Sequence, residues 1–113
     1  MKIFFIAPYS GKQKYQKDYD RIIELIESTG AEVVSAEKNR EYFDSFSREN
    51  LEKFGSHERV HYEFIKQGII NCDGLVVETS FDDLRVGLEM TLALLYKKPV
   101  LCLSQNLDYS KYI

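Results

Sequence analysis

The sequence predicts an α/β domain built on a parallel sheet of four to five strands, with helices on both faces. Three observations predict it. Short apolar runs of strand length alternate with longer segments whose apolar residues recur at helical spacing. The run Ile3-Phe-Phe-Ile-Ala7 is apolar throughout, as expected of a central parallel strand buried on both sides. The stretch from Asp73 to Glu89 reads as a buried strand, a short polar turn and the start of a helix. Strands alternating with helices imply a parallel sheet joined by right-handed crossovers.

The elements follow in order. The first strand closes at Pro8 and the turn residues Ser10-Gly11. Tyr15, Tyr19, Ile22, Ile23 and Ile26 mark the first helix, which Gly30 stops. A short second strand runs from Glu32 to Ala36. From Glu37 to His57 the chain is polar and aromatic, and is expected to form a partly helical insertion over one sheet edge. Val60, Phe64, Ile65 and Ile69 predict a helix ending near Asn71, and Leu75 to Val77 a third strand. Leu84, Leu88, Thr91, Leu92 and Leu95 share one face of the next helix. Pro99 to Ser104 is the fourth strand, with proline tolerated at its first position. The tail after Gln105 carries Tyr109 and Tyr112.

Composition narrows the function. The chain has 113 residues, one domain's worth. Apolar residues make up 44% and charged residues 29%, which fits a soluble globular protein. A net charge of −3 argues against a nucleic-acid partner, which needs a clustered basic face. No apolar run is long enough to span a membrane, and the five-residue apolar core of Met1 to Ala7 is too short for a signal peptide. Cys72 and Cys102 have no metal-binding or redox spacing, so a reduced, cytoplasmic setting is expected, with no metal or cofactor.

Three loops follow strand C-termini, where ligands of open α/β sheets bind. The first, Pro8-Tyr9-Ser10-Gly11-Lys12, offers backbone N–H groups, a hydroxyl and an ammonium at a helix start, a combination suited to a phosphate. A plain strand-to-helix turn accounts for Ser10-Gly11 equally, and the spacing is neither a P-loop nor a dinucleotide fingerprint. Tyr9 could stack on a ligand, although an aromatic at a strand end is commonly packing. The second loop holds Glu78 at the strand end, Ser80, Asp82 and Asp83 in the turn, and Glu89 in the early helix. Helix capping by Asp82 or Asp83 and an Arg85–Glu89 pair would explain much of it. Gly87 argues for more, because glycine in a helix costs up to about 1 kcal/mol relative to alanine and hints at close approach by another group. His61 is expected to be a surface or partly buried helix residue.

The series Asp73-Gly-Leu-Val-Val-Glu78, Val86-Gly87-Leu-Glu89 and Ala93-Leu-Leu-Tyr-Lys-Lys-Pro-Val-Leu-Cys-Leu103 resembles the nucleoside 2-deoxyribosyltransferase superfamily, which includes the 2-deoxynucleoside 5-monophosphate N-hydrolases. The resemblance covers most of the chain outside roughly residues 37–56. It implies a flavodoxin-like three-layer fold, a nucleoside or nucleotide substrate, and a homodimer or higher homo-oligomer whose sites borrow residues from a neighbour. It places Glu89 where the family keeps its nucleophilic glutamate, and His61 in the helix that usually contributes a second acid. Ile65 stands where that family aspartate is expected, with Glu63 the nearest carboxylate. Asp83 replaces the serine of the nucleotide hydrolases, and Ala7-Pro8 replaces the Gly-Ser that opens their phosphate loop.

A glutamate suits cleavage of a C1′–N bond, because a carboxylate can trap the oxocarbenium-like sugar as an ester, which water or a second base then resolves. Asp83 is the candidate acid for the departing base, and Tyr9, Ser10, Gly11, Lys12, Glu78, Ser80 and Gly87 are candidate binding residues. A non-catalytic nucleotide or nucleoside sensor is the alternative, since Ile65 replaces an acid. A receiver-type domain would need acids directly after the first strand, where Ala7-Pro8 stand, and a lysine-decarboxylase-like enzyme would need a Pro-Gly-Gly turn before its glutamate.

Overall fold

The computed structural model describes residues 1–8, 11–35 and 46–105, with Lys12 described by its backbone alone. Within them lie strands β1 (Lys2–Ile6), β2 (Glu32–Val34), β3 (Gly74–Glu78) and β4 (Val100–Leu103). The helices are α1 (Lys12–Ser28), α2 (Arg48–Phe54), α3 (His57–Asn71) and α4 (Leu84–Leu95). The strands form one sheet in the order β2-β1-β3-β4, every neighbouring pair parallel. That order matches the first four strands of a flavodoxin-like sheet. Tyr9, Ser10, Tyr109 and Tyr112 lie outside the described residues, as does the insertion before Phe46.

Alternation along the strands builds two cores. Phe4 and Ile6 of β1, with Leu75 and Val77 of β3, pack against Ile65 and Ile69 of α3 and Val86 and Ala93 of α4. Phe5 and Val76 point the other way, joining Val33 of β2 to Tyr19 and Ile23 of α1. Successive side chains of a strand face opposite sides, so an unbroken apolar run is what a sheet covered on both faces demands.

Local chemistry sets the helix ends. Gly30, at φ 91°, donates its N–H to the Glu27 carbonyl and ends α1. Ser47 caps α2 by accepting from the Asn50 N–H, and Gly55, at φ 89°, closes it. Ser56 caps α3 by accepting from the Arg59 N–H, so that helix begins at His57, a turn earlier than its first apolar marker Val60. Helix α2 supplies the helical part of the insertion. Across a cavity of about 690 Å³, its Asn50, Lys53 and Phe54 face Glu32 and Val34 of the edge strand β2.

One expectation about α4 is corrected. The face shared by Leu84, Leu88 and Leu95 is turned outward, with exposures of 81%, 62% and 74%. The helix docks instead through Val86 and Ala93, with Met90 and Leu92 partly buried beside them. Two apolar stripes coexist in this segment, and the sheet takes the one with the smaller side chains.

Candidate functional site

Strand β3 delivers Glu78 to the C-terminal edge of the sheet, on the same side of the strand as Val76. Only 2% of it is exposed, and its Oε1 accepts a 2.6 Å hydrogen bond from the Ser80 N–H, which closes the turn after the strand. The neighbouring loops lock onto this turn. The Thr79 N–H donates to the Leu103 carbonyl at 2.7 Å, and the Ser80 hydroxyl oxygen accepts from the Gln105 N–H at 2.8 Å. From the first loop, buried Gly11 comes so close that a Cβ there would stand 3.0 Å from Phe81 Cβ and 2.5 Å from the Tyr19 hydroxyl. All three strand-end loops therefore meet, as a parallel sheet requires.

Asp83 begins the next helix. Its Oδ1 accepts from the Arg85 N–H at 2.9 Å, and the Arg85 guanidinium lies 3.9 Å away, so Arg85 pairs with Asp83 rather than with the expected Glu89. Gly87 has no atom of the described chain within 4 Å of where a Cβ would sit, so its lack of a side chain serves no internal contact. Helix α1 starts after Gly11, and among the described residues no side chain caps its first N–H groups. That leaves hydrogen-bond donors at the helix end where backbone dipoles favour an anion.

Glu89 lies elsewhere. It projects from the second turn of α4 toward α3, where its Oε1 stands 3.4 Å from Nε2 of His61. Its side chain is 15% exposed and that of His61 28%, so the pair is largely shielded. Beside it opens a cavity of about 330 Å³, walled by His61, Tyr62 and Ile65 from α3 and by Arg85, Leu88, Glu89 and Leu92 from α4. The wall is mainly hydrocarbon, which strengthens any charge interaction made at its polar spot. Gly11, Glu78, Ser80 and Asp83 line no part of this cavity, so the structure gathers the candidate residues into two groups. The link between them is α4 itself, whose six residues from Asp83 to Glu89 advance by about 9 Å at the usual rise. Among the described residues no group of three or more His, Cys, Asp or Glu side chains is placed to hold a metal ion. No described helix is long and apolar enough to cross a membrane.

His61 is the site residue that sequence reasoning set aside. A signal was present: it precedes Ile65 by four residues, one helical turn, and so shares a face with the position compared to the family acid. Ile65 itself is 5% exposed and belongs to the core as well as to the cavity wall.

Neither a family model nor a curated protein sequence matches this chain. A solved structure does: the CMP N-glycosidase BcmB of Clostridium botulinum is similar to it with a TM-score of 0.61 at 13% identity. The superposition covers 98% of this chain and 78% of that one. At this identity the likeness is one of fold, and it agrees with the flavodoxin-like order of the sheet.

Proposed function

We propose that the protein cleaves the N-glycosidic bond of a nucleoside or its 5′-monophosphate, with Glu89 as the nucleophile. The observation that carries this reading is the shielded Glu89 carboxylate in the wall of a cavity, held against His61 across the α3–α4 seam. The shared fold with an enzyme described as a CMP N-glycosidase supports it.

In the first step a Glu89 oxygen attacks C1′ and forms a glycosyl ester, while the C1′–N electron pair leaves with the base. The base takes up a proton, for which Asp83 is the candidate donor at the head of the same helix. Water then gives one proton back to Asp83 and attacks C1′ of the ester, which releases the sugar and restores the carboxylate; a second base in place of water would give transfer. The uncapped N–H groups at the start of α1, with Ser10, Gly11 and Lys12, would receive a 5′-phosphate. Tyr9, Glu78, Ser80 and Gly87 belong to the same substrate-binding assignment, Gly87 because the space beside it is open.

Self-association is part of the proposal. Leu84, Leu88, Leu95 and Tyr62 leave a large apolar surface uncovered beside the Glu89 cavity, which a second copy of the chain would bury. Sedimentation should show a dimer or larger oligomer that Leu88→Asp dissociates; a monomeric wild-type protein would refute it.

Ile65 favours a second reading, a nucleotide or nucleoside sensor, because its buried side chain supplies no proton. One experiment separates the two. The pure protein is incubated with a panel of ribo- and deoxynucleosides and their monophosphates, CMP included, and free base is followed by chromatography. Base release that Glu89→Gln abolishes supports the enzyme. Tight binding without turnover supports the sensor, and full activity in Glu89→Gln removes the nucleophile assignment.

A further inference from the structure

We propose that His61 is a positioning residue for Glu89, holding its carboxylate aimed from the neighbouring helix. The inference deepens the proposed function and rests on Glu89 being the working carboxylate. Its physical basis is separate: Nε2 of His61 and Oε1 of Glu89 stand 3.4 Å apart in a wall otherwise built from hydrocarbon.

The surroundings point to this pair as a unit. Glu89 is the one carboxylate in the described cavity wall, and the other titratable groups there are Tyr62 from α3 and Arg85 from α4. Arg85 is drawn to Asp83, and the Tyr62 ring lies 5.8 Å beneath the Lys66 ammonium. His61 is therefore the group within reach of the Glu89 oxygen from across the seam. A neutral imidazole can donate one N–H to a carboxylate, and an imidazolium adds a charge. At 3.4 Å the contact is longer than a tight charge-assisted hydrogen bond, and catalytic contacts are often long before substrate arrives. A carboxylate held this way is oriented, yet is not clamped so closely that it cannot attack.

The test begins with proton NMR of the imidazoles, which needs no turnover. The chain has two histidines, so a His57→Gln protein assigns both signals. At one fixed pH the His61 ring signals of wild-type protein should differ from those of Glu89→Gln, because the group 3.4 Å from Nε2 has changed. Unchanged His61 signals in Glu89→Gln overturn the inference. The second arm uses base release. His61→Gln keeps an N–H donor, so it should retain more of kcat/KM than a variant with no donor at this position. His61→Leu should lose about ten- to a hundred-fold in kcat/KM, the size of a hydrogen bond to a charged group. Higher kcat/KM in His61→Gln than in His61→Leu at the same melting temperature is not what a merely structural histidine would give. If wild-type protein releases no base, the N-glycosidase reading falls, and the NMR comparison still decides whether His61 and Glu89 act as a pair.

Discussion

Gly68→Ala sets helix propensity against packing at the point where α3 leans on β1. In an exposed helix interior this change stabilises by up to about 1 kcal/mol. Here the added methyl would fall inside 3.0 Å of three ring carbons of Phe4, namely Cδ2, Cε2 and Cζ. The ring cannot simply step aside, because Phe4 is 1% exposed and the Phe64 ring packs 6.5 Å away. Overfilling a packed core costs about 1–3 kcal/mol, so packing outweighs propensity and the net loss should be about 1–2 kcal/mol. For a domain of this length that corresponds to a fall in melting temperature of about 4–8 °C. Urea and thermal melts should show a lower midpoint with an unchanged urea dependence. A variant as stable as the wild type, or more so, would refute the close approach of α3 to β1. The same contact sets where α3 carries His61, about 10 Å further along the helix axis, so base release should fall together with stability.

Two further changes probe the site and the core. Asp83→Ala removes the N-cap of α4 and should cost about 1 kcal/mol in a urea melt. Asp83→Asn, which can still cap, should keep that stability yet lose base release if the carboxyl protonates the leaving group; normal activity in Asp83→Asn would exclude that role. Burial pushes the Cys72 thiol above its ordinary value, only partly offset by Lys98, whereas Cys102 is exposed. Mass spectrometry after mild alkylation near pH 8 should find Cys102 modified and Cys72 modified only on unfolding. Because the folded state disfavours the Cys72 thiolate, its stabilising effect is complete below the unfolded thiol value of about 8.5 and fades as pH rises beyond it. Urea midpoints should decline across that range, and less so in Cys72→Val.

The parts of this structure legible in sequence are those governed by local pattern. The apolar run at Ile3–Ala7 announced a central strand, Gly30 announced a helix end, and the strand-helix alternation announced a parallel sheet. The meeting of the Gly11, Ser80 and Gln105 loops followed from that parallelism without any side-chain knowledge. Helix α4 was harder, because Leu84, Leu88 and Leu95 outweigh Val86 and Ala93 in hydrophobicity although the smaller pair packs on the sheet. Nothing local to α4 reveals which stripe docks. The His61–Glu89 pair was less legible still, since it joins residues 28 positions apart through the packing of α3 on α4. Arg85 illustrates the same limit: helical spacing allowed it to reach Glu89, but the capping carboxylate of Asp83 lies nearer.

The account stands or falls on whether Glu89 bonds to C1′. Acid-quenched protein taken during turnover of a hydrolysed nucleotide should show, by intact mass and peptide mapping, one added glycosyl group on the peptide holding Glu89, absent from Glu89→Gln. Base release at full rate with no such adduct, and with Glu89→Gln equally active, would contradict it.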